Sequence, residues 1–194
     1  MRHLKYIFKF AAALAAAACI SVALPEEAHA QQVAVKLNAL YWTAMSPNVG
    51  VEIVTGEHSS IDFSVMGHYK PYGLNSKVFT FQPEYRYWFN GRPMIREYIG
   101  ASAMVAAYDM SLGNYVYKGN AYSAGITGGY VFALGKRWNF ELCAGFSFLF
   151  FHHKQYCRHD NYDDYYIGTT VQANAWGYKL FPAKLGVTFS YIIK

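Results

Sequence analysis

Charged residues are scarce in this sequence, at 15% of its 194 positions, against a usual share of about 25%. A chain so poor in charge has little with which to cover a water-facing surface. Its formal net charge of +5 is also too mild to imply a nucleic-acid partner. Cysteine is scarce as well, with three in the chain. Cys19 falls in an apolar leader, while Cys143 and Cys157 lie along one extended run and its continuation, too far apart to bridge, so no disulfide framework is expected. Long apolar runs are nearly missing too. The one candidate, FAAALAAAACISVAL, spans about fifteen residues, short of the roughly 20 that a membrane helix requires.

That run has a different explanation. The basic head MRHLKYIFK precedes it and Ala28-His29-Ala30 follows, which together supply the basic, apolar and cleavage regions of a secretory signal. The expectation is a cleaved leader over 1–30 and one domain over 31–194, a length suited to a single fold. Lipid attachment at Cys19 is disfavoured because Ile20 to Leu24 continue the apolar run instead of starting a polar tether.

Aromatic residues, at 19%, are what the chain has in abundance, and their spacing is regular. In FTFQPEYRYWFN, every second position holds Phe79, Phe81, Pro83, Tyr85, Tyr87 and Phe89, with Thr80, Gln82, Glu84, Arg86 and Trp88 between them. A strand here carries an aromatic face backed by a largely polar one. Reading for this period predicts eight strands, near 33–45, 48–56, 60–70, 77–89, 95–109, 120–134, 137–152 and 183–193. The apolar faces hold Val33, Val35, Leu37, Ala39 and Tyr41, then Ile61, Phe63 and Val65, then Trp138 through Phe150 at alternate positions, then Leu185 through Ile193. The fifth and sixth runs are rich in Ala and Gly and alternate less clearly.

The connections sort by parity. GEHSS, NGRP and GKR are short, whereas KPYGLNSK, MSLGNYVYKGN and a connection of about thirty residues after the seventh run are long; SPN, between the first two, is the exception. Short turns at one end, longer loops at the other and an even strand count predict an all-β fold, an eight-stranded antiparallel up-and-down transmembrane β-barrel. The bilayer of a Gram-negative outer membrane then meets the aromatic face, with Tyr41 in the outer girdle. Eight strands enclose a lumen just wide enough for side chains to fill. A polar interior is expected, in which Lys36, Arg86 and Lys184 pair with Glu52, Asp62, Glu84 and Glu141, leaving no open pore. Pro83, which cannot donate to a ladder, predicts a bulge.

LNALYWTAMSPNVGVE, FQPEYRYWF and GYVFALGKRWNFE resemble, in this order, the recurring motifs of a family of small β-barrel proteins from Bacteroides-type bacteria that is catalogued as a domain of unknown function. The resemblance covers about residues 36 to 150 and the last strand. It implies an outer-membrane barrel with no established activity and no catalytic residues to carry over.

Three functional classes remain open. The first is a membrane-embedded scaffold that meets a protein or glycan partner through its outside loops. Tyr156, Tyr162, Tyr165, Tyr166 and Trp176 of the last connection offer amphipathic contact surface for it. The second is a metal-binding module, since His152, His153, Cys157 and His159 are ligand types suited to zinc, although their spacing matches no standard finger. The third is a lipid-modifying membrane enzyme. No convergent nucleophile, base and oxyanion donor supports it, because Asp62 and His68 on one strand stand about 20 Å apart at 3.3 Å per residue. No cofactor is expected beyond the optional zinc.

Overall fold

The alternation that recurs along the chain needs somewhere to put two unlike faces, and a closed sheet provides it. The computed structural model describes residues 32–112, 115–157 and 174–193. The leader over 1–30 lies outside the described residues. Eight strands pair antiparallel in chain order, and the first closes on the last. They are β1 (Val33–Asn38), β2 (Asn48–Val54), β3 (Ser59–Tyr69), β4 (Ser76–Trp88), β5 (Arg96–Leu112), β6 (Tyr115–Ala133), β7 (Trp138–Cys157) and β8 (Asn174–Ile192).

Along β4 the side chains of Gln82, Glu84, Arg86 and Trp88 are buried, while Tyr85 and Tyr87 between them are exposed. The same parity holds on β7, where Asn139, Glu141, Cys143 and Ser147 point inward and Leu142, Phe146, Phe148 and Phe150 point outward. The polar set therefore fills the lumen and the apolar set covers the exterior. At the end that carries residues 32 and 193, exterior rings meet in a belt. Tyr87 packs on Phe89 at 5.7 Å, Tyr130 on Phe132 at 4.6 Å and Trp138 on Tyr191 at 5.0 Å between centroids. This is called the terminal end below, and the opposite one the loop end.

Several boundaries differ from those the alternation predicts. The first strand stops at Asn38, and Ala39–Thr43 form a one-turn helix, α1. Asn38 is its N-cap: the side-chain oxygen accepts from Leu40 N at 3.1 Å, and a reciprocal pair with Asn48 holds the entry, Asn38 N to Asn48 Oδ1 at 2.7 Å and Asn48 Nδ2 to Asn38 O at 2.8 Å. Tyr41 thus sits on α1, not in an exterior girdle on β1. The long fifth connection also disappears, because β5 and β6 pair continuously from Arg96↔Val131 up to Leu112↔Tyr115. The last connection shrinks to 158–173, since β7 runs on to Cys157 and β8 begins at Asn174.

Pro83 makes no bulge. It stands opposite Phe63 of β3, and the register to β5 is the same on either side of it, Phe81↔Val105 and Glu84↔Ser102. The missing N–H interrupts that ladder without shifting it. The shift lies between β7 and β8 instead, where Gly145↔Lys184 is followed by Ser147↔Phe181. Pro182 falls within the extra residues, where a ladder donor is not required.

Candidate functional site

The walls of the lumen are unequal. β1 and β2 have 6 and 7 residues, whereas β6, β7 and β8 have 19, 20 and 19. Small inward residues on β5 and β6, such as Gly100, Ser102 and Ser123, leave room for the long arms of other strands to reach across the barrel. Gly100 shows the requirement: a Cβ there would stand 2.5 Å from Thr127 Oγ1 and 2.8 Å from Glu84 Oε1. Gly186 does the same opposite Cys143, whose Sγ would lie 2.4 Å from an added Cβ.

Arg86 occupies the centre of this space and is fully buried. Its Nε donates to Glu84 Oε1 at 3.0 Å, Nη1 to Glu52 Oε2 at 3.0 Å and Glu141 Oε2 at 3.2 Å, and Nη2 to Asp62 Oδ2 at 2.8 Å and Glu141 Oε1 at 3.0 Å. The guanidinium also lies over the Tyr98 ring, 4.3 Å from its centroid. Lys36 joins Glu141 at 2.6 Å, Glu52 at 2.9 Å and Asp62 at 3.3 Å. Lys184 joins Glu84, and Asp62 at 3.5 Å. The structure thus brings together all seven of Lys36, Glu52, Asp62, Glu84, Arg86, Glu141 and Lys184. Three cations meet four carboxylates, one formal negative charge in excess. Buried charge is tolerable only with this density of partners.

Neutral donors complete the cluster. Ser60 gives a hydrogen bond to Glu52 at 2.7 Å, Tyr98 to Glu141 at 2.6 Å and Thr127 to Glu84 at 2.8 Å. Trp88 Nε1 donates to Ser60 Oγ at 2.9 Å. Trp88, Tyr98, Val131 and Cys143 form an apolar layer on the terminal side of the charges. Met94 and Asn139 are buried at that end too, with Asn139 Nδ2 donating to the Met94 carbonyl at 2.8 Å. The sequence reading missed this layer, although Trp88 shares the period of Glu84 and Arg86 and was in that sense visible.

On the other side of the charges the lumen opens. A cavity of about 960 Å³ occupies the loop-end half, floored by Lys36, Asp62, Gln82, Arg86, Glu141 and Lys184. Its walls are mostly apolar, with Met66, Val78, Met104, Met110, Leu149, Phe151 and Phe181 from the strands and Leu40 and Tyr41 from α1. Nearest the loop end, His153 stacks on Phe151 at 5.2 Å between centroids and bonds Tyr108 Oη through Nδ1 at 3.2 Å. Two floor atoms, Asp62 Oδ1 and Gln82 Nε2, have no hydrogen-bond partner among the described residues. The interior is therefore filled by side chains in its terminal half only, not throughout as the sequence suggested.

The remaining candidates separate. His152 and His153 are neighbours on β7 and so face opposite sides of the wall: His152 rests against Trp176, 4.4 Å between centroids, and His153 lies inside against Tyr117, at 5.5 Å. Among the described residues no three His, Cys, Asp or Glu side chains are grouped to hold a metal ion. Cys157 and Tyr156 end β7, with side chains that are not described, and His159, Tyr162, Tyr165 and Tyr166 lie outside the described residues. Trp176 is on β8 and largely exposed. Ser64 donates to the Gln82 carbonyl at 3.2 Å, and His68 pairs with Ser46 at 2.5 Å, so neither meets Asp62 as a catalytic partner.

An eight-stranded closed barrel with a buried charge cluster across its lumen is thus the class of this protein. The chain belongs to the family described as a protein of unknown function, DUF3575, whose model matches residues 15–193. No curated protein and no solved structure matches it.

Proposed function

We propose that the protein is an integral outer-membrane barrel, closed to through-passage at Arg86, that works as a surface scaffold at its loop end. The observation that carries this reading is the inverted polarity of the fold. A water-soluble barrel would have little reason to bury three cations and four carboxylates while exposing Leu142, Phe146, Phe148, Phe150 and Leu185. The belt of Tyr87, Phe89, Tyr130, Phe132, Trp138 and Tyr191 at the terminal end suits a headgroup interface. β1 and β2 are shorter than the roughly 9–11 residues of a spanning strand. On that side, exposed Trp42 and Met45 extend the apolar surface beyond β1.

A scaffold role draws support from the loop end, where Tyr69, Tyr72, Leu74, Trp176 and Tyr178 are all exposed. Such side chains provide contact area for a protein or glycan. This reading assigns binding, not catalysis.

Membrane fractionation tests it. The protein should resist extraction by alkaline carbonate and require detergent for release. Phe146, 63% exposed at the middle of β7, is the informative position: Phe146→Lys should cost about 2–4 kcal/mol of stability in the bilayer. A protein that stays monomeric in water without detergent, and tolerates Phe146→Lys, would reverse the assignment.

A further inference from the structure

The loop-end cavity has no part in the scaffold reading, and its composition is specific. The walls are mostly apolar, with His153 and Lys179 toward the loop end, and include Met66, Met104 and Met110, whose flexible thioethers adapt to an irregular guest. The volume lies within the range of small-molecule pockets, about 300–1,000 Å³. The floor is polar and carries the two unmatched atoms, the acceptor Asp62 Oδ1 and the donor Gln82 Nε2, both with almost no accessible surface, so that a guest meets them through a turn of the two side chains. Asp62 is 3% exposed and Gln82 is 7% exposed. They are diagonal neighbours on the lumen face, since Asp62 stands opposite Glu84 and Ser64 opposite Gln82, a relation that long side chains span.

We infer that the loop-end half of the lumen binds an uncharged apolar chain carrying one hydroxyl group, with the hydroxyl set between Asp62 and Gln82. The choice of group follows from what each chemistry leaves unmatched. An alkyl ammonium donates to Asp62 but offers nothing to the Gln82 amide. A carboxylate accepts from Gln82 but offers no proton to Asp62, and it sets its own charge against that side chain's. A hydroxyl donates to one and accepts from the other. Unmatched buried polar groups weaken binding severalfold or more, so the floor acts as a filter on the polar end while the walls accept the chain.

The methionines supply the measurement. In the full mature chain labelled with methyl-13C methionine and placed in lipid nanodiscs, 1-dodecanol should shift the Met66, Met104 and Met110 methyl resonances with saturation. Met45, exposed on the exterior, and Met94, buried beneath the charges, should hold still. Dodecylamine and dodecanoate should bind about tenfold more weakly than the alcohol, and Gln82→Leu should weaken the alcohol about tenfold while leaving dodecane unaffected. An unchanged Met94 resonance in Gln82→Leu verifies that the variant is folded. Shifts that grow without saturation or equally at Met45, or an acid or amine that matches the alcohol, would overturn the inference. The use of nanodiscs rests on the membrane reading, and failure of that reading would appear earlier, as a chain that does not enter the disc.

Discussion

Arg86 is the residue on which the interior turns. It is hydrogen-bonded to Glu52, Asp62, Glu84 and Glu141, so replacing it leaves four buried carboxylates to share Lys36 and Lys184 alone. Arg86→Met should lower stability by about 3–5 kcal/mol, the cost of breaking a buried ionic group from one side, as read by urea unfolding in detergent. Tyr98→Phe removes one neutral donor from Glu141 and should cost about 1–3 kcal/mol in the same assay. At this scale the sequence was informative, because a charge on a barrel strand that alternates with aromatics has one place to go. Which charges pair was not legible. The partners of Arg86 come from β2, β3 and β7 as well as its own strand, and a period along one strand carries no information about what stands across the lumen. Gln82 was legible as a lumen residue too, but its unmatched amide was not, since that depends on Ser64 and Asp62 turning elsewhere.

Elements were legible in number and blurred at their ends. Ala39 and Tyr41 continue the period-two pattern past β1, but Asn38 caps a helix there, and the local hydrogen bonds from Asn48 prevail over the pattern. In the other direction, Gly113-Asn114 and the Gly119-Asn120 pair suggested a long loop, whereas pairing with β7 draws Tyr115 through Asn120 into the ladder. Tertiary pairing overrides turn preference when both neighbours are available. The weak alternation of β5 and β6 now has a cause. Their inward positions, such as Gly100, Ser102 and Ser123, are kept small by the side chains arriving from β4, and small residues blur a hydrophobic pattern. Gly100→Ala should therefore destabilise the barrel by about 1–3 kcal/mol, through contact with Thr127 and Glu84. The neighbouring exterior change Ala101→Val should stay within about 0.5 kcal/mol. Equal effects in thermal unfolding would show that the inward packing is looser than these contacts require.

At the scale of the whole molecule, the barrel is uneven. β5 and β6 pair along their full lengths, while the closing seam joins β1 to β8 only from Ala34↔Ile192 to Asn38↔Thr188. Local opening follows the number of contacts that must be broken, so the sheet should open first along β1, whose ladders to β8 and to β2 are the two shortest. What holds the seam is not the ladder alone. Lys36 projects from the middle of β1 and reaches Glu52 on β2 and Asp62 on β3, on its own side of the seam, and Glu141 on β7 across it, so opening the seam means drawing the cation away from Glu141. Lys36→Met keeps the length of the side chain and removes that hold. Hydrogen exchange followed in detergent should then quicken at Ala34 to Asn38 and at Thr188 to Ile192 by about tenfold or more, while the β5–β6 amides keep their protection. The sign rests on a balance of two terms, because the same substitution also leaves the carboxylate excess larger and stresses the whole cluster. Exchange that rises equally in β5 and β6 would mean that the charge cluster stabilises the barrel as one unit. A rise confined to the seam would mean that Lys36 acts as its clasp, which is the outcome that the short first strand requires.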